Sequence, residues 1–185
     1  MSPAGRRVGN PTTGEHITFL ETAADTAGER FRMDIVIEAG RSGMAGPVHF
    51  HPHQEERFHV LAGTPLFSLD GAASTAGAGD VVTVPRGVPH IFGNAGPGEL
   101  HMISEYRPGL RSIETFFETF FGLAEETGKQ RPDLLQSALT LHECRDYFVI
   151  TSPPPALQRV MFPLMARVAR KRGYRPSYPR FSYPG

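Results

Sequence analysis

The spacing of His49, His51 and Glu56 constrains this chain more than any other feature. The three residues lie in the stretch 43–63, GMAGPVHFHPHQEERFHVLAG. Successive side chains of a strand point to opposite faces, so histidines two apart project on one side. Pro52 suits a short turn after them. From Glu56 a new strand is expected, with Phe58 and Val60 on the same side as the carboxylate. Two imidazoles and a carboxylate then converge from neighbouring strands. Burying such groups without partners is costly, and a bound cation is their natural partner.

A second stretch, residues 79–94, GDVVTVPRGVPHIFGN, offers a fourth ligand. Val81, Val82 and Val84 read as a strand. Pro85 and Gly87 set a turn, and His90 leaves it toward the same interior.

Taken together, these positions resemble the two motifs of the cupin superfamily. The first, G-x5-H-x-H-x3,4-E-x6-G, is matched by Gly43, His49, His51, Glu56 and Gly63. The second, G-x5-P-x-G-x2-H-x3-N, is matched by Gly79, Pro85, Gly87, His90 and Asn94. The gap between them, residues 64–78, resembles the short spacer of compact bacterial cupins. An isolated H-x-H says little; all the fixed positions in register say much more. The resemblance spans roughly residues 15–107 and is silent on the rest of the chain. It implies a mainly β protein, the double-stranded β-helix or jelly-roll barrel of cupins.

The composition agrees with that class. Gly 20 and Pro 17 in 185 residues point to many turns. Apolar residues at 39% and charged residues at 21% suit an ordinary globular domain. No run approaches the length of a membrane-spanning helix. The first fifteen residues lack the apolar core of a secretory leader, so a cytoplasmic protein is expected. The lone Cys144 rules out an internal disulfide framework and is expected as a small buried hydrophobe. Net charge is zero, yet the last acidic residue is Asp146, and seven basic residues come after it, from Arg159 to Arg180. No helix-turn-helix pattern flanks the barrel, which argues against a nucleic-acid partner.

Along the chain, residues 1–14 are expected to be a flexible lead, 15–110 the barrel, and 111–185 a helical extension with an extended tail. Strands are expected at 15–21, 30–38, 64–69, 72–75 and 99–106, beside those of the two motifs. In residues 112–123 the period changes. Ile113, Phe116, Phe117, Phe120 and Phe121 fall on one helical face, with Ser112 as N-cap and Gly122 or Gly128 as terminator. Further helices are expected from Pro132 to about Phe148 and from Pro155 to about Arg172, the latter kinked or split at Pro163. The tail GYRPSYPRFSYPG should be extended, with its aromatics packed on something.

Of the remaining candidates, His53 and His59 are expected on the turn and the outer face. Phe58, Val60 and Phe92 share parity with ligands and are expected beside the pocket. His101 and Glu105 share a face of the last strand; if it is the inner one, either could transfer protons. Imidazole with carboxylate suits Fe, Mn, Ni, Zn or Cu, and ligand type alone does not choose among them; Fe, Mn or Ni is expected first. Such a site permits Lewis-acid or oxygen chemistry on a small organic molecule, a dioxygenase first. A metal-assisted isomerase, cyclase or lyase, or a non-catalytic protein that binds metal and a small molecule, stays open. The resemblance also implies a homodimer.

Overall fold

The computed structural model describes residues 4–42 and 46–181. Gly43 of the first motif and the last four residues of the tail lie outside that range. In chain order the strands are β1 (Arg7–Asn10), β2 (Glu15–Glu21), β3 (Phe31–Ile37), β4 (His49–Phe50), β5 (Glu55–Ala62), β6 (Pro65–Leu69), β7 (Ala72–Thr75), β8 (Val81–Val84), β9 (His90–Asn94) and β10 (Leu100–Arg107). Helices α1 (Arg111–Thr127) and α2 (Leu134–Glu143) come next, then β11 (Val149–Ile150) and α3 (Pro155–Lys171).

The strands form two sheets, ordered β1-β2-β3-β10-β5-β8 and β11-β4-β9-β6-β7. All described pairings are antiparallel. This is the mainly β jelly-roll architecture that the motifs imply, with three helices after it. Strand β3 shows why. Phe31, Met33, Ile35 and Ile37 are buried, while Arg32, Asp34 and Val36 are half-buried between them. Period-2 alternation gives that strand one core face and one solvent face. Leu100, Met102 and Tyr106 of β10 stand opposite Ile37, Ile35 and Phe31 and complete the same wall. Gly63, which closes the first motif, has φ 84°, and a Cβ there would meet the Glu99 carbonyl at 2.5 Å. Only glycine fits that corner.

Several sequence expectations need correction. Within the lead expected to be flexible, residues 7–10 form β1, paired with β2. Its Val8 is buried, and the short alternating stretch around it is too brief to stand out by period. Helix α1 runs well past residue 123. Its N-cap is Leu110, with no side-chain cap, and it ends at Gly128 in the left-handed region. Gly122 is interior instead, because a Cβ there would meet the Phe181 ring at 2.6 Å. Asp133 caps α2, accepting from the amides of Leu135 and Gln136. That helix stops at Glu143, and residues 149–150 add β11 beside β4. Helix α3 continues through Pro163.

The tail packs as its aromatics suggest. The Tyr178 hydroxyl donates to Gln136 Oε1 at 2.7 Å, the Tyr174 hydroxyl donates to Asp133 Oδ2 at 2.8 Å, and Phe181 is buried. Part of the basic run is paired: Arg170 with Glu143, and Arg180 with Glu126. Cys144 is buried, and burial pushes its thiol up, in keeping with a structural role. Among the described residues no helix is long and apolar enough to cross a membrane.

Candidate metal centre

His49 and His90 face each other across the β4–β9 pair of one sheet. Glu56 comes from β5 of the other sheet, in register with Tyr106. His51 lies just past β4, and its carbonyl accepts from the Gly87 amide of the second motif at 2.9 Å. The four side chains each offer a ligand atom within 4.8 Å of the others. The ring centroids of His49, His51 and His90 lie 4.5 to 5.3 Å apart.

The backbone fixes the state of each imidazole. Nδ1 of His49 is 3.0 Å from the Pro47 carbonyl, Nδ1 of His90 is 3.0 Å from the Val88 carbonyl, and Nδ1 of His51 is 2.6 Å from the Tyr147 carbonyl. A carbonyl can only accept, so each Nδ1 carries the hydrogen. In the neutral ring Nε2 then keeps its lone pair, which is the state a metal ligand needs.

Glu56 lies at the centre of the cluster. Its Oε2 is 3.0 Å from His90 Nε2 and 3.2 Å from His51 Nε2, and its Oε1 accepts from the Ser104 hydroxyl at 2.7 Å. Burial pushes its carboxyl up, but the contacts with His51 and His90 outweigh burial and hold it well below the usual range. His90 is pulled down by burial and raised more by Glu56, so its net shift is upward. His49 is held well below its ordinary value, first by burial and then by the charges of His90 and His51. His51 Nε2 is fully buried without a hydrogen-bond partner, because its approach to Glu56 has the distance but not the direction.

An orphaned buried nitrogen, and lone pairs converging on a buried carboxylate, fit a bound cation. The donor set suits a divalent transition metal and does not choose among Fe, Mn, Ni, Zn and Cu.

The cluster opens into a cavity of about 550 Å³. That is the size of a small-molecule site. Its barrel side includes Met33, Ile35, Phe92 and Tyr106, and its other side is built by the phenylalanines of α1 and by Phe148. The Phe148 ring stacks on His49 at 4.2 Å and on Phe116 at 4.9 Å. Burial and Glu56 hold the Tyr106 hydroxyl well above its ordinary pKa, so it keeps its proton.

The other sequence candidates are divided between the cavity, the core and the outer face. Phe92 lines the cavity. Phe58 and Val60 share the inward face but lie in the core beyond it, Phe58 against Phe67 and Phe92. His101 and Glu105 are on the outer face. His101 Nε2 meets Asp34 at 2.5 Å, and Glu105 pairs with Arg107 and Arg32. The inward positions of β10 are Leu100, Met102, Ser104 and Tyr106. His53 is exposed and His59 half-buried. Sequence reasoning missed Ser104, Tyr106, Glu15 and Phe148. The one sequence signal for two of them is that the even positions of β10 are the more apolar set; the register that settles its phase, with Glu56 opposite Tyr106, is long-range.

Residues 36–106 match the family model for the cupin domain. Over that segment the chain is similar to cupin domains. It is 29% identical over 85 residues to germin-like protein 3-8 of Oryza sativa subsp. japonica, covering 43% of this chain and 38% of that one. It is 30% identical over 79 residues to quercetin 2,3-dioxygenase of Bacillus subtilis (strain 168), covering 43% and 23%. The matches thus span less than half the length of either relative. Among solved structures, the nucleoside dehydratase Pac13 of Streptomyces superposes with a TM-score of 0.48 at 19% identity, over 60% of this chain and 81% of that one.

Proposed function

We propose that the protein is a metal-dependent enzyme acting on a small, largely apolar organic molecule, with dioxygenation as its first expected reaction. The observation that carries this reading is the convergence of His49, His51, Glu56 and His90, two of which, His49 and Glu56, line an apolar cavity. The 30% identity to a quercetin 2,3-dioxygenase supports the oxygen chemistry over the aligned segment. A metal held there would supply Lewis-acid or redox chemistry.

The chain's own residues have separable tasks. The backbone carbonyls of Pro47, Tyr147 and Val88 hold the three imidazoles in the ligating tautomer. Ser104 fixes one oxygen of Glu56 and leaves the other facing the histidines. The phenylalanines of α1 and Phe148 keep water from the wall opposite the barrel. Tyr106, protonated beside Glu56 and in the cavity, can donate its hydroxyl proton to that carboxylate or to a substrate oxygen that takes its place. That donor also favours a second reading, a metal-assisted isomerase, cyclase or lyase, in which proton placement matters more than oxygen.

The test loads the protein with Fe(II), and separately with Zn(II), and monitors oxygen uptake with a panel of aromatic and enolic substrates. Uptake with iron alone supports the dioxygenase. Substrate conversion with either metal and without oxygen transfers the assignment to the isomerase or lyase class. Conversion with neither would leave a binding protein.

A dimer is the expected assembly. The exposed Leu157, Val160, Leu164 and Val168 fall on one stripe of α3, the kind of surface a second copy would cover.

A further inference from the structure

Glu15 is the first residue of β2, paired with Asn10 and Ile37, and it is buried. Its side chain lines the same cavity as His49 and Glu56. Among the described residues no hydrogen bond or ion pair reaches its carboxyl. The neighbouring walls are apolar: Met33 and Ile35 from β3, and only phenylalanines from α1. The other ionisable groups facing the cavity are His49, Glu56, Tyr106 and Arg131. The Tyr106 hydroxyl feels the charge of both carboxyls, Glu56 the more strongly. A carboxyl facing an apolar cavity without a partner is costly, unless something that enters the cavity supplies one.

We infer that Glu15 is a specificity-determining residue of the cavity, which hydrogen-bonds the hydroxyl or carbonyl of a ring-bearing apolar ligand. The ring would lie among the phenylalanines, where aromatic edges and faces are on offer. Burial pushes the Glu15 carboxyl up to about 7, so near neutral pH about half of it is protonated, a form that can both donate and accept. A hydroxyl matches that pair of functions. The inference rests on the reading of the cavity as the substrate site, and it does not depend on which metal is held.

The test uses the zinc-loaded full chain, which is redox-inert. Calorimetry compares 4-methylphenol with its methyl ether, 4-methylanisole, on the wild type, Glu15→Gln and Glu15→Leu. The wild type should bind the phenol about tenfold more tightly than the ether, the value of one well-placed hydrogen bond. Glu15→Leu should lose that preference and keep its affinity for the ether, which shows that the cavity is still folded. Glu15→Gln, which can still donate and accept, should retain part of it. An equal preference in the Leu variant overturns the role of Glu15 and leaves the cavity reading standing. Failure of both probes to bind any of the three proteins overturns the cavity reading and this inference with it.

Discussion

The barrel and the C-terminal segment contribute to one site in different ways. The barrel supplies every candidate ligand, each from a strand whose register sets its direction. Among the described residues, the segment after residue 110 supplies none of the candidate ligands. It supplies the Tyr147 carbonyl that fixes His51, the Phe148 ring stacked on His49, and the aromatic wall of the cavity. The contrast teaches that donor chemistry and donor orientation can be encoded far apart. Nothing near His51 in sequence predicts a partner 96 residues away.

That division can be broken from the extension side. Phe148→Ala removes a buried ring that touches His49, His51 and Phe116. It should cost about 3–4 kcal/mol in denaturant unfolding, and it should weaken metal retention although no ligand is touched. Retention equal to wild type would make the extension a mere cover.

Glu15→Gln sharpens the comparison from the barrel side, and its sign is opposite. The folded carboxyl is raised from the usual 4.5 to about 7. An acid whose folded pKa is raised lowers stability above its unfolded pKa. Below about pH 4.5 both states are protonated and the substitution should be neutral. Between there and about pH 7 the penalty grows, and above that it is constant. Glu15→Gln should therefore gain on the order of 3 kcal/mol at pH 8, at about 1.4 kcal/mol per pH unit, and nothing at pH 4. Chemical denaturation at the two pH values reads this directly.

Ser104→Ala should act on a smaller scale. It removes the hydroxyl that donates to Glu56 Oε1 at 2.7 Å. The expected result is a stability loss of about 1–2 kcal/mol and metal affinity lowered about tenfold, measured by competition with a chelator. The smallest effect belongs to the outer face. His101→Gln breaks a half-exposed pair with Asp34, so it should change stability by under about 1 kcal/mol and leave metal content alone. A loss of metal there would contradict the phase of β10.

Legibility in the sequence divides along the same line. The strands and the four converging side chains could be read because period 2 and the motif spacing act over a few residues. The turn glycines could be read too, as Gly63 shows with its positive φ and a carbonyl where a Cβ would be. Glu15 could not. A glutamate opening an alternating strand looks like a surface charge until the helices cover it. His101 and Glu105 misled for a related reason, since a strand's phase belongs to its partners and β10 has two. Phe148 read as the end of a helix. It belongs instead to the short approach to β11, whose pairing with β4 is long-range.

The most direct test of the account is metal content. Mass spectrometry on the purified wild type, reconstituted with Fe(II), Mn(II) or Ni(II), is set beside a His49→Ala, His90→Ala double variant and the His101→Gln control. The account predicts about one equivalent of metal per chain in the wild type and the control, the four convergent donors making one site, and almost none in the double variant. Equal metal in all three, or none in the wild type after reconstitution, would contradict it.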